Sequence, residues 1–292
     1  MQGLLSNCNI CPRLCGADRA AGQAGYCGAT GLSVRVARAA PHMWEEPCIS
    51  GKNGSGTVFF GGCNMKCTYC QNGAISRAAV GRELSVWQLA DEFERLQREG
   101  VHNINLVTPT HYMPQILVAI DLSGVTIPFV YNTSGYELPQ SLELLKGRVS
   151  VFLTDFKYAD NRLAGRYSAA PDYFERATAA LDKMVELAGE ARFDSDGMMT
   201  AGVIVRHLVL PGHTDDSLRV MEHLHRRYGD KIYVSIMNQY TPPKGAAGPL
   251  GRKLTAREYD RVVDYAVSLG IERGFIQEGD TAKDSFIPEF DL

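Results

Sequence analysis

Apolar and polar positions follow two alternating rhythms from residue 56 almost to the end of the chain. Short apolar runs bounded by Gly, Asn and Ser read as strands, and stretches with apolar residues three and four apart read as amphipathic helices. In order, the pattern predicts a strand over 56–62, a helix over 84–99, a strand over 103–107, a helix over 114–121, a strand over 127–131 and a helix over 138–146. It continues with a strand over 150–156, a helix over 172–189, a strand over 203–210, a helix over 215–228 and a strand over 232–237. A last helix over 255–269 and a short strand over 273–277 follow. Six consecutive strand–helix units predict an α/β fold, a parallel sheet curved into a partial (β/α)6 TIM-like barrel. Sheets of this kind place their chemistry at the carboxyl ends of the strands.

The segment before Gly51 lacks that rhythm and carries Cys, Gly and Pro throughout. The chain therefore divides into a Cys-rich metal-binding region over 1–50 and a barrel with a C-terminal extension over 51–292. A region this short needs a metal to staple it. The tail over 284–290 is expected to close one end of the barrel, so that truncation after Lys283 lowers thermal stability.

Composition narrows the function classes. Hydrophobic residues make up 45% and charged residues 22% of the 292-residue chain, and no apolar run approaches the roughly 20 residues that span a bilayer. The formal net charge of -3 comes without a basic stripe, which gives no expectation of nucleic-acid binding. No basic stretch leads into an apolar one at residues 1–9, so a cytoplasmic location is expected.

Cysteine placement changes the picture most. All eight cysteines fall in the first 70 residues, and clusters of this kind in a reducing compartment are metal sites rather than disulfides. Directly after the first predicted strand, Cys63, Cys67 and Cys70 form a C-x3-C-x2-C loop. Three thiolates cap three corners of a cuboidal iron–sulfur cluster and leave the fourth iron open to an exogenous chelating group. The competing reading is a zinc loop that borrows Cys48 as a fourth ligand. Upstream, Cys8, Cys11, Cys15 and Cys27 supply four thiols in twenty residues, enough to close a coordination sphere around zinc, a single iron or a second [4Fe-4S] cluster. Spacing does not choose among these. Cys48 otherwise reads as a small buried hydrophobe.

The loop, with Tyr69 before its last cysteine, resembles the signature of radical S-adenosylmethionine (SAM) enzymes. That resemblance implies a [4Fe-4S] cluster on Cys63, Cys67 and Cys70 whose open iron is chelated by SAM, a radical SAM barrel, and reductive cleavage of SAM to a 5′-deoxyadenosyl radical. Over most of 56–237 the chain is similar to pyruvate formate-lyase activating enzymes. Asn132-Thr133-Ser134-Gly135-Tyr136 resembles their polar turn for the cofactor, Asp155-Phe156-Lys157 their Asp-Leu-Lys motif, and the stretch from Arg206 and His207 to Asp215 their fifth-strand motif. The resemblance implies that Lys157 and Arg206 pair with the cofactor carboxylate. Asn132, Thr133, Ser134 and Asp155 would supply oxygens to the cofactor or to a monovalent cation beside it, and Tyr69, His207 and Asn238 complete the expected contacts. Where those enzymes have a Gly-Gly-Glu turn, this chain has Val107-Thr108-Pro109-Thr110-His111-Tyr112. Thr108 is the expected substitute contact, while Thr110 and His111 read equally as helix-start residues.

Plain structural readings stand beside these. Asp155 and Lys157 alternate along a strand and also fit an interior ion pair, and Arg206 shares that alternative. The implied activity is an oxidoreductase fed by a reductant such as flavodoxin or ferredoxin. The radical would act on a glycyl residue of a partner enzyme, or on a small molecule or peptide. The reading from another class is a non-catalytic iron–sulfur carrier or scaffold, which has no use for polar residues at several strand ends.

Overall fold

The structure, a computed structural model, describes residues 2–277 and Phe290. Residues 284–289, most of the tail expected to close the barrel, lie outside the described residues. Phe290 meets Phe59 edge to face, with ring centroids 5.6 Å apart.

Among the described residues ten strands form: β1 Val34–His42, β2 Ser55–Phe60, β3 Arg82–Leu84, β4 Ile104–Val107, β5 Phe129–Thr133, β6 Val151–Asp155, β7 Arg192–Phe193, β8 Met199–Leu208, β9 Tyr233–Met237 and β10 Gly274–Ile276. The main sheet runs in the order β10-β9-β8-β6-β5-β4-β2-β1-β3, with β7 paired to β8 at the side. From β2 to β10 every pairing along that order is parallel. All six expected parallel strands are present in sequence order. The register places their carboxyl ends together, with Val107 opposite Asn132 and Asp155 opposite Arg206.

Two antiparallel strands extend the sheet beyond β2. β1 pairs with β2, and β3 pairs with β1. β1 lies inside the segment expected to be an appendage, so the stretch ahead of the first strand ends at Ser33. Its sequence Val-Arg-Val-Ala-Arg-Ala-Ala-Pro-His alternates weakly and buries only its first half, which hides a strand from a pattern reading.

Helices cover one face of the sheet, at Val86–Arg98, Met113–Leu122, Tyr173–Ala188, Thr214–Tyr228 and Ala256–Ser268. Their starts follow local chemistry. Ser85 and Gln88 form a capping box, as do Thr255 and Glu258, each pair satisfying two end N–H groups reciprocally. The helix expected over 138–146 contracts to Pro139–Leu142 and a 3-10 turn. A further helix at Asn161–Ser168 escapes the pattern because it is polar and contains Gly165; the Asp160 side chain caps it.

Strand alternation divides the core in two. Val58, Phe60, Leu106, Tyr131, Phe152 and Val205 pack under the helices with Leu89, Phe93, Ile116, Leu181 and Leu224. On the other face Val130, Val151, Leu153 and Ile204 meet Cys48 and Ile49 from the short helix Pro47–Ser50. Cys48 is thus a packing residue of the inner core, and the zinc loop that would borrow it has no support in its position.

Candidate active site

A cleft of about 240 Å³ opens at the carboxyl ends of the parallel strands. Phe59 near the end of β2, Val107 and Thr108 at and just after the end of β4, and Asn132, Thr133 and Ser134 around the end of β5 line its wall. Asp155 and Lys157 follow from β6, Arg206 and Leu208 from β8, and Met237 and Gln239 from β9. The cysteine loop covers the cleft, presenting Cys63, Met65, Cys67, Tyr69 and Cys70 to it.

The loop is held from both sides. Gly62 turns the chain out of the sheet at φ +89°, where a Cβ would lie 2.5 Å from the Cys27 carbonyl oxygen, so only glycine serves there. Lys66 also adopts a left-handed conformation, at φ +56°. Cys63 and Cys67 are buried and Cys70 half-buried. The Met65 N–H donates to Cys63 Sγ at 3.3 Å, and Ser168 Oγ donates to Cys67 Sγ at 2.9 Å. Tyr69, Tyr158 and Ser168 form a buried hydroxyl chain with 2.7 Å contacts that ends on that sulfur.

Charge is concentrated at two points of the wall. Lys157 Nζ donates to Asp155 Oδ2. Burial by itself would lower the Lys157 pKa, but Asp155 and the neighbouring Cys67 outweigh it and hold the ammonium well above the usual lysine range. On the neighbouring strand β8, Arg206 Nε donates to Glu46 Oε1 at 2.8 Å, and its Nη2 donates to both Glu46 and Glu45. Glu46 is buried, a cost that raises a carboxyl, yet the Arg206 charge and hydrogen bonds hold it below the ordinary range. Glu45 also accepts from Asn105 and Asn132, which ties the cleft's two walls together.

Thr108 sits at φ +59°, a left-handed conformation that is uncommon for a β-branched residue and concentrates at functional sites. It occupies the first turn position after β4, where the resembling enzymes have glycine. The Thr108 N–H donates to the Asn132 carbonyl at 2.9 Å.

Residues 57–224 match the model of the Radical SAM superfamily, more than half of the chain. The chain belongs to the radical SAM superfamily. Among its relatives, the uncharacterized protein MJ0674 of Methanocaldococcus jannaschii is 28% identical over 283 residues, 93% of this chain and 77% of that protein. Solved structures share the fold at low identity. Streptococcus suis SuiB bound to S-adenosylmethionine has a TM-score of 0.51 and 13% identity over 74% of this chain and 48% of that one. SuiB bound to its precursor peptide SuiA gives 0.52 and 12% over 75% and 47%. This radical SAM chain spans about half the length of those SuiB chains.

Membership implies a [4Fe-4S] cluster and SAM, and the residues present fit both. Three thiols face one cleft, two of them receive hydrogen-bond donors, and a buried ammonium stands beside Cys67. Of the expected contacts, Tyr69, Thr108, Asn132, Thr133, Ser134, Asp155, Lys157 and Arg206 line the cleft. His207 and Asn238 do not. Alternation along β8 turns His207 to the opposite face, where its ring nitrogens meet the Phe156 carbonyl at 2.7 Å and Ser217 Oγ at 2.9 Å. Asn238 pairs with Gln277 instead, so Met237 and Gln239 face the cleft from β9. Thr110 donates to Glu137, and His111 donates Nε2–H to the Gly61 carbonyl at 2.8 Å; both are buried behind the cleft.

Sequence reasoning missed Glu45, Glu46 and Ser168. None lies in a motif. The one available signal was the Trp-Glu-Glu-Pro run at 44–47, two acids ahead of a helix-starting proline in a segment that burial later makes meaningful.

Proposed function

We propose that this radical SAM enzyme holds its [4Fe-4S] cluster on Cys63, Cys67 and Cys70 and directs the resulting radical at a residue of a peptide or partner protein, a glycyl residue in the activating-enzyme version. The observation that carries this is the convergence, on one cleft, of three thiols with a charged lysine and the polar turn of β5. When bound, the reduced cluster supplies an electron to the SAM sulfonium, giving methionine and a 5′-deoxyadenosyl radical.

The chain's own residues bind, orient and exclude. Lys157, protonated and anchored by Asp155, receives the SAM carboxylate, and the Thr108, Asn132, Thr133 and Ser134 turns present oxygens and N–H groups to its amino and ribose ends or to a monovalent cation. Tyr69 and Met65 present the loop's apolar surface to the cleft and would help exclude water from bound SAM. Arg206 serves as a positioning residue, its donors spent on Glu45 and Glu46, rather than as a carboxylate partner. His207 braces β8 from behind, and Asn238 braces β9.

Trp44 lines the cleft and is 56% exposed. An exposed aromatic at the mouth of a polar cleft suits a peptide segment better than a small polar substrate. A low-potential donor such as flavodoxin or ferredoxin provides the electron, and the catalytic unit takes in β1 and the 44–46 segment together with the barrel expected over 51–292.

The test is anaerobic reconstitution followed by reduction in the presence of SAM. Formation of 5′-deoxyadenosine that is lost in Cys67→Ala supports the reading. Cofactor binding without cleavage, even with candidate glycyl-radical proteins or peptides added, would remove the radical assignment in favour of a carrier or scaffold.

A further inference from the structure

Behind the cysteine loop lies a second set of thiols that the radical chemistry does not use. Cys8 and Cys27 are buried, Cys11 half-buried and Cys15 exposed. The chain brings Cys8, Cys15 and Cys27 around Arg19 and Gly25. The Cys8 N–H donates to the Ala17 carbonyl and the Gly16 N–H to the Cys8 carbonyl, closing the segment on itself. A Cβ built on Gly25 would lie 3.4 Å from Cys15 Sγ, 3.5 Å from Cys27 Sγ and 3.9 Å from Arg19 Cδ. Gly25 therefore floors a space on which two sulfurs and an arginine stem converge.

Arg19 is the decisive residue. It is 0% exposed, and among the described residues no carboxylate forms an ion pair with it. Nη1 donates to the His111 carbonyl and lies 4.0 Å from Cys8 Sγ, while Nε and Nη2 are buried without a hydrogen-bond partner. A guanidinium stays charged at any physiological pH, and an uncompensated buried charge costs several kcal/mol. Neutral thiols would not offset that cost. Four thiolates around zinc or around a [4Fe-4S] cluster carry a net negative charge, and thiolate sulfurs accept N–H hydrogen bonds.

We propose that Cys8, Cys11, Cys15 and Cys27 bind an anionic, all-thiolate metal centre, with Arg19 as its buried counter-charge. The centre is docked on the back of the radical cluster loop. Arg13, between Cys11 and Cys15, donates Nε–H to the Asn64 carbonyl at 2.6 Å, and Asn64 follows Cys63. The Cys27 carbonyl packs against Gly62, the residue before Cys63. One ligand segment thus touches the other on both sides of Cys63. An iron–sulfur centre there would be placed to exchange electrons with the loop, and a zinc centre would fix the loop's shape. The all-thiolate chemistry is common to both.

The experiment counts metal in a chain whose loop ligands are gone, so its result is independent of whether SAM is cleaved. A Cys63→Ala/Cys67→Ala/Cys70→Ala triple variant is prepared and reconstituted without oxygen, and iron, sulfide and zinc per chain are measured. About four iron with four sulfide, or about one zinc, identifies the centre, and adding Cys8→Ser and Cys27→Ser removes it. A soluble triple variant with native circular dichroism and no stoichiometric metal overturns the proposal. If the triple variant does not fold, Cys8→Ser/Cys27→Ser in the otherwise wild-type chain must lose the same complement, and unchanged metal content overturns it. Arg19→Leu should speed metal loss to a chelator or, for iron–sulfur, lower the midpoint potential of the second centre, while Arg19→Lys retains most of the wild-type behaviour. An Arg19→Leu variant that matches wild type in both readouts removes the counter-charge argument.

Discussion

The two cysteine sets of this chain lie back to back and differ in what surrounds them. The loop set, Cys63, Cys67 and Cys70, has three thiols and faces a cleft furnished with Lys157, Asp155 and the β5 turn. The N-terminal set has four thiols, contributes none of them to that cleft, and has the fully buried Arg19 beside it. Ligand number and surroundings agree in each case. On the two proposed ligand sets, three thiolates would leave a coordination position open with the space in front of it equipped by the protein, whereas four would leave none and need only charge balance. What separates a reactive centre from a closed one is therefore as visible in the neighbouring polar groups as in the cysteine count.

The sharpest way to break that contrast is Cys67→Ala. It should reduce 5′-deoxyadenosine formation to background while leaving the metal content of the N-terminal set unchanged, as iron, sulfide and zinc analysis would show. If SAM cleavage survived this change and was lost in Cys15→Ala instead, the two roles would be reversed.

Arg206→Leu tests how the front cleft is held. Removing the guanidinium strands the Glu45 and Glu46 carboxylates, which are 7% and 6% exposed. Thermal or denaturant unfolding at neutral pH should show a loss of about 3–5 kcal/mol, partly restored by adding Glu46→Gln. Because Arg206 holds the Glu46 pKa down, the wild-type pair contributes stability above the ordinary carboxyl range and loses it as pH falls through the lowered value. The deficit of the variant should accordingly shrink in acid.

Glu137, behind the cleft, should respond in the opposite direction. Burial pushes its carboxyl up to about 7 from 4.5, against the Thr110 and Thr133 hydroxyls that lower it. The folded chain then keeps a proton that the unfolded chain releases, so this group costs stability as pH rises between those two values. Glu137→Gln should remove that slope, gaining about 3 kcal/mol above pH 7 relative to wild type and little below pH 4.5, as unfolding titrations at several pH values would reveal.

Lys157→Ala should weaken SAM binding by roughly tenfold to a hundredfold, about 1.5–3 kcal/mol for a charge-assisted contact, with the metal content of both sets intact. Calorimetry on the reconstituted protein measures it; unchanged affinity would favour the plain ion-pair reading of Asp155 and Lys157. Ser168→Ala carries the smallest effect. Losing one donor to Cys67 Sγ removes roughly 1 kcal/mol of stabilisation of the reduced cluster, a fall on the order of 40 mV in midpoint potential for one electron. The N-terminal centre, which Ser168 does not touch, should keep its potential.

The sequence was legible wherever the signal was local. The cysteine spacings, the six parallel strands and most of their helices are written in runs of a few residues. Strand alternation also exposes the limit of motif reading: adjacent Arg206 and His207 both sit at a strand end, but only one can face the cleft. The same holds for Asn238 between Met237 and Gln239. β1 and the helix at Asn161–Ser168 were illegible because the first alternates weakly and the second is polar, and tertiary packing rather than propensity stabilises both.

By itself the sequence determined the family, the loop that carries its signature, and the order of the units that bring strand ends to one side, since these depend on neighbours along the chain. Only the tertiary structure decided which side chains share the cleft, that Glu45 and Glu46 neutralise Arg206 from about 160 residues away, and that Arg19 is sealed beside the N-terminal thiols with no carboxylate pairing it among the described residues. Charge compensation and burial are properties of the space between segments, and no local pattern records which segments will meet.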